Sequence, residues 1–244
     1  MNPAWRPRPC VVVLALCQLA AAAGDCCPPA SVRLTRQLEK DGFHRQLVTS
    51  ARLAWPPCLA GCRLLLLERL PAGVFVDPYQ VAREQRGRHR LLGPAHVEAM
   101  AHDASGLDVL SWAEVNHTQA AARVSLPVHA RYHRADETER LAAVYIESPR
   151  VFVACDWESQ EWPAAEAAGA GGRETLPCRA AGDAVCEYRA VPADNSPAVV
   201  LQVPLGDLRD LELVLVGTAV AVTAGTVLLL LVISNKGLDS PRQR

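Results

Sequence analysis

The chain has 244 residues, with 25 Lys and Arg against 26 Asp and Glu, and half of its residues are hydrophobic. So even a charge balance leaves no electrostatic footprint for nucleic acid or an acidic polymer. The length allows one well-buried domain, or two small ones, once leader and anchor segments are set aside.

Residues 1–9 carry Arg6 and Arg8 and no acid, and an apolar run then ends in Ala21-Ala22-Ala23 before Gly24. A basic start, a short apolar core and small residues at its end read as a signal peptide, residues 1–23. The chain beyond residue 24 is then expected to face a lumen or the cell exterior. Of the nine cysteines, Cys10 and Cys17 leave with the signal. The other seven (Cys26, Cys27, Cys58, Cys62, Cys155, Cys178 and Cys186) enter a compartment where disulfides persist. Seven is odd, so at least one is free or pairs with another chain.

Residues 31–38 alternate, with Val32, Leu34, Arg36 and Leu38 on one face, and residues 46–53 resume that period beyond Asp41-Gly42. Two such runs across Asp-Gly predict a hairpin. The nearly continuous apolar run 62–70, stopped by Pro71-Ala72-Gly73, predicts a strand buried on both faces. Residues 83–94 are polar and basic and read as a solvated loop rather than an anionic head-group contact, since no helical face collects the charge. Further strand-like runs cover 107–115, 122–132, 141–147, 150–155 and 199–203. Asn116-His117-Thr118 is a glycosylation sequon, which makes Asn116 a candidate acceptor. Residues 162–173 read as a low-complexity loop. Cys178 and Cys186 bracket a Gly-Asp turn, and a local disulfide closing a hairpin is expected there. Seven to nine short strands without a long amphipathic helix predict a mainly β, antiparallel sandwich-like luminal domain over residues 25–210.

Residues 213–233, LVLVGTAVAVTAGTVLLLLVI, hold no charge. As a helix they would cover ~31 Å, the thickness of a bilayer's hydrocarbon core. Lys236, Arg242 and Arg244 lie beyond the run and Asp207, Asp210 and Glu212 precede it, so residues 234–244 are expected in the cytosol. The expected topology is single-pass type I. Within the span Gly217, Ala221 and Gly225 recur every four residues, a small-residue stripe on which a partner's transmembrane helix could pack.

No catalytic constellation emerges. There is no G-x-S-x-G elbow, no Gly-rich phosphate loop and no paired metal-binding acids. His129 and His133 share a β-prone stretch, where such spacing puts them ~13 Å apart and one zinc cannot take both. The residues point to an interaction module with no cofactor and no metal.

Five blocks carry a family likeness: KDGFHR at 40–45, CRLLLLERLPAGVFVDPYQVA at 62–82, LPVHARYHR at 126–134, FVACD at 152–156 and LQVPLG at 201–206. With the leader and the C-terminal span they resemble the PIG-X family, accessory subunits of GPI mannosyltransferase I. The resemblance implies a glycoprotein of the endoplasmic reticulum membrane. It would stabilise the multi-spanning catalytic subunit PIG-M, which adds the first mannose in GPI-anchor biosynthesis, and would contribute no catalytic residue. The competing expectation is a type I cell-surface receptor or adhesion protein, against which the short tail weighs.

Overall fold

The alternation at the start of the domain becomes a hairpin. Strand β1 (Val32–Glu39) buries Val32 and Leu34 and exposes Arg33 and Thr35, and it pairs antiparallel with β2 (His44–Leu53) from Val32 opposite Leu53 to Glu39 opposite Gln46. Gly42 turns the chain with φ of +77°, which costs little without a Cβ. The computed structural model describes residues 31–53, 62–85, 87–116, 118–155, 172–194 and 197–238. The expected signal peptide, Cys26, Cys27 and Cys58, most of the low-complexity segment and the end of the tail lie outside these residues.

The first sheet extends the hairpin. Strand β7 (Ala121–Ala130) pairs with β2, β4 (Val74–Phe75) with β7, and β12 (Ala193–Asp194) runs parallel to β1, giving the order β12-β1-β2-β7-β4. The second sheet has six strands in the order β10-β11-β9-β3-β6-β5, all antiparallel. They are β3 (Cys62–Leu70), β5 (His89–Leu91), β6 (Leu107–Glu114), β9 (Arg150–Cys155), β10 (Arg173–Pro177) and β11 (Val185–Val191). Strands β8 (Leu141–Ile146) and β13 (Val199–Pro204) pair with each other.

The apolar run at 62–70 is now explained. Leu64 and Leu66 pack with Val32, Leu34, Ala51 and Val124 between the two large sheets, while Leu65 and Leu67 pack with Leu110, Trp112, Phe152 and Tyr188 on the opposite face. A sheet covered on both sides selects against alternation. Each leucine so buried contributes roughly 2 kcal/mol. The mainly β expectation holds, with more strands than the seven to nine predicted because two-residue and three-residue strands at sheet edges carry no periodicity.

Two local expectations need correcting. Helix α1 (Pro78–Glu84) was not predicted, although its start is written in Asp77-Pro78: the Asp77 carboxylate accepts from the Tyr79 amide at 2.8 Å and proline occupies the first turn. The segment 83–94, expected to be a solvated loop, contains β5 at the edge of the second sheet, with His89 buried. A buried histidine flanked by arginines leaves no hydrophobic period to read.

Residues 134–142 and the described residues from 204 to 238 form a second unit. Here the Asp136 amide donates to the Gly206 carbonyl at 3.0 Å, Leu208 to Asp136 at 3.3 Å and Leu205 to Arg140 at 2.9 Å. Asp207 caps a 3-10 turn (Leu208–Asp210) that runs into helix α2 (Leu211–Leu238). The backbone between β13 and α2 is therefore pinned by hydrogen bonds. Helix α2 is long and apolar enough to cross a membrane, and its residues from 211 to 235 are exposed. It exceeds the apolar run 213–233 at both ends because helical hydrogen bonding continues until a cap or break stops it.

Candidate functional site

Three segments far apart in sequence meet at one end of the first sheet. The β1–β2 turn delivers Phe43 and His44, strand β4 delivers Phe75, and the end of β7 delivers His129 and Tyr132. The register sets His129 directly opposite His44 on one side and Phe75 on the other. The rings conform to that register: His44 meets His129 edge-on at 4.5 Å, Phe75 stacks on His129 at 4.9 Å, and Phe43 lies 4.9 Å from Tyr132. His129 Nε2 is 2.8 Å from Gln80 Oε1, which ties α1 to the cluster.

The support beneath is rigid. Arg131 is buried; its Nη1 donates to the carbonyls of His96 at 2.5 Å and Ala99 at 2.8 Å, and its guanidinium lies 4.7 Å from the Phe75 ring centre. A cation over an aromatic face, away from water, is favourable by up to about 2 kcal/mol. Gly73 accepts the Arg131 amide at 2.9 Å, and a Cβ there would come within 2.6 Å of Val144, so the backbone can approach only as glycine. Burial, and then the neighbouring His44, lower the His129 pKa from its usual value, which keeps the ring neutral at neutral pH.

Tyr132 is 68 % exposed, and Tyr79, on helix α1, 82 %. The cluster holds no nucleophile paired with a base, and what it offers is uncharged ring surface with hydroxyl tips. Such surface suits recognition of another protein, where tyrosines give large contact area at small entropy cost.

The residues singled out from sequence sit elsewhere. Asn116 is exposed at the turn between β6 and β7, its Oδ1 accepting from the Thr118 hydroxyl at 2.7 Å and amide at 3.0 Å. A disulfide joins Cys178 to Cys186 across the β10–β11 hairpin, with Cα atoms 5.0 Å apart. Gly217, Ala221 and Gly225 lie on exposed α2, and a Cβ added at either glycine meets nothing within 4 Å. His129 lies in β7 and His133 beyond its end, where His133 Nδ1 is 3.0 Å from the Arg131 carbonyl.

Sequence reasoning passed over one buried polar cluster. Arg36 Nη2 donates to Glu68 Oε2 at 2.6 Å, with both side chains shielded from solvent. Arg36 also donates to the carbonyls of Ile146 at 3.2 Å and Glu147 at 2.6 Å, so one side chain links β1, β3 and β8. The signal was present: period 2 puts Arg36 on the same face as Val32 and Leu34. Separately, a depression of about 780 Å³ is lined by Arg63, Arg88, Trp112, Glu114, Arg123 and Arg179, among others. Among these, Arg123 pairs with Glu39 at 3.0 Å, and Arg63 sits opposite Glu114 in the ladder.

A family model described as PIG-X / PBN1 matches residues 40–234. Among curated proteins, the chain is 29 % identical over 184 residues to a human protein named GPI alpha-1,4-mannosyltransferase I, stabilizing subunit, covering 72 % of this chain and 70 % of the relative. Proteins of the same name from mouse (27 % identical, 72 % and 71 % covered) and rat (26 %, 85 % and 84 %) also match. No solved structure matches.

Proposed function

The chain belongs to the PIG-X / PBN1 family, and on that premise we propose that it is the non-catalytic, stabilising subunit of GPI mannosyltransferase I. The observation that supports this is the extent of the match: residues 40–234 take in the β domain from β2 onward and nearly all of α2, so likeness to the family covers the apolar helix as well as the domain. The partner is the multi-spanning catalytic subunit PIG-M, and the place is the endoplasmic reticulum membrane, with the β domain luminal. The role requires no reacting groups, in keeping with a site made of packed rings.

A stabilising subunit works by binding the assembled state of its partner in preference to the unassembled one, so that association shifts the partner's folding equilibrium. Two surfaces are available for that, the exposed face of α2 and the β domain. The stripe Gly217, Ala221 and Gly225 lets a second helix approach closely, where dispersion can act in lipid without a hydrophobic driving force. Asn116 carries a glycan in this reading, at a turn open to the luminal transferase.

The direct test is recovery from membranes. Full-length tagged chain, solubilised in mild detergent, is expected to bring the catalytic subunit with it and to stay sensitive to endoglycosidase H at Asn116. Absence of the catalytic subunit, together with an endoglycosidase-resistant glycan, would overturn the assignment.

A further inference from the structure

The depression of about 780 Å³ in the β domain is built between two open strand edges. Strand β5 pairs with β6 only at residues 109–111, so residues 112–114 of β6 have no strand on that side among the described residues. Strand β4 pairs with β7 only at His129 and Ala130, which leaves residues 123–125 of β7 uncovered in the same way. The β10–β11 hairpin adds residues 178–181 to the lining. Its Cys178–Cys186 disulfide fixes its base, and its Gly182 carbonyl accepts from Arg90 Nη1 at 2.7 Å, which ties its tip to β5. The walls are therefore held by the fold before anything binds.

The lining is one-sided in charge: Arg63, Arg88, Arg123 and Arg179 against a single acid, Glu114. Arg123 has Glu39, and Arg63 has Glu114 across the ladder. The side chains of Arg88 and Arg179 are exposed and have no hydrogen-bond or ion-pair partner among the described residues, whereas Arg33, Arg69 and Arg173 each have a carboxylate within 4 Å. His89, between Ser111 and Gln85, adds no charge, because burial pulls its pKa down to about 4. We infer that this depression binds the phosphate group of a small molecule, with Arg88 and Arg179 as its two free cationic contacts. A guanidinium fork takes two oxygens at once, and a phosphate monoester has enough oxygens for two such forks where a carboxylate does not. The volume lies within the roughly 300–1,000 Å³ of small-molecule sites, more than a bare phosphate needs, so the phosphate is one end of a larger ligand. Trp112, fixed by its N–H to Tyr188 Oη at 3.1 Å, supplies a flat wall for the rest. The basic segment 83–94 collects its charge on no helical face; it gains a second cation only where the β10–β11 hairpin brings Arg179, from far along the chain, to the same depression.

The test uses the full-length chain purified in neutral detergent without any partner, so its outcome is independent of the function proposed above. Glucose 1-phosphate and dioctanoyl phosphatidic acid present the same phosphate chemistry from a soluble and a lipid source, and glucose is the uncharged control. Calorimetry is expected to show saturable binding of at least one of the two phosphates, and the one preferred identifies the source. Arg88→Gln with Arg179→Gln is expected to weaken that binding at least about tenfold, the loss of two charge-assisted contacts. Arg33→Gln with Arg69→Gln, outside the depression, is expected to leave it unchanged. Glu114→Gln removes the opposing acid and is expected to tighten binding roughly two- to fivefold, a gain that misfolding cannot produce. No saturable binding of either phosphate, equal binding of glucose, or affinities indifferent to both the arginine pair and Glu114 would overturn the site.

Discussion

At the scale of single residues, Glu68 and His89 are the two buried groups whose protonation bears on stability. Burial pushes the Glu68 carboxyl up to about 7, against the lowering pull of Arg36. Its contribution is full below the ordinary carboxylate value and is lost as pH rises through about 7. Burial pulls His89 down to about 4, with its Nδ1 held 2.8 Å from Ser111 Oγ. Its contribution is full above the ordinary imidazole value and is lost as pH falls through about 4. Between roughly pH 4.5 and 6.5 the slopes oppose, each worth about 1.4 kcal/mol per pH unit, and nearly cancel. Glu68→Gln removes one of them. Thermal unfolding of the full-length chain in detergent should then show stability rising with pH across this window more steeply than in the unaltered chain. A profile unchanged by the substitution would contradict the burial account of Glu68.

Arg36 and Glu68 also show where residue patterns stop being legible. Arg36 was visibly on an apolar face, but nothing along the chain says that its partner lies on the facing sheet. The Cys178–Cys186 pairing, by contrast, could be read in advance, because both cysteines and the turn between them are local. Asp136 and Asp207 lie between these cases. Hydrogen bonds from Glu139 and Thr138 to Asp136, and from Arg209 to Asp207, hold both carboxyls down to about 2. Their caps are local, yet the backbone bonds joining the two turns are not.

At the scale of elements, the hairpin β1–β2 and the doubly buried β3 follow from period and turn chemistry, and α2 from length and apolarity. What escaped was β5 and β12, which exist only because a longer neighbour supplies hydrogen bonds, and α1, whose seven residues are too few for a helical period. The aromatic cluster escaped for the same reason. Its three contributing blocks were each visible, but only the ladder through β7 brings them together. Helix α2 carries its own prediction. Gly217→Leu with Gly225→Leu fills the small-residue stripe without shortening the helix or lowering its apolarity, so insertion should be normal. Recovery of the catalytic subunit should fall several-fold, the loss expected of close helix packing in lipid. Unchanged recovery would leave α2 an anchor and nothing more.

At the scale of the whole molecule, the β domain and its span make sense together. The domain carries exposed ring surface and no catalytic arrangement among its described residues, six residues connect β13 to α2, and α2 is exposed from residue 211 to 235. Under the proposed function, each feature would serve attachment to a neighbour in the same membrane. Family membership then says which assembly that neighbour belongs to. The measurement that bears most directly on this is removal of the protein from cells, followed by the amount of GPI-anchored markers at the surface and the level of the mannosyltransferase catalytic subunit. Both are predicted to fall together and to return when the full-length chain is restored. Normal amounts of both after its removal would contradict the account.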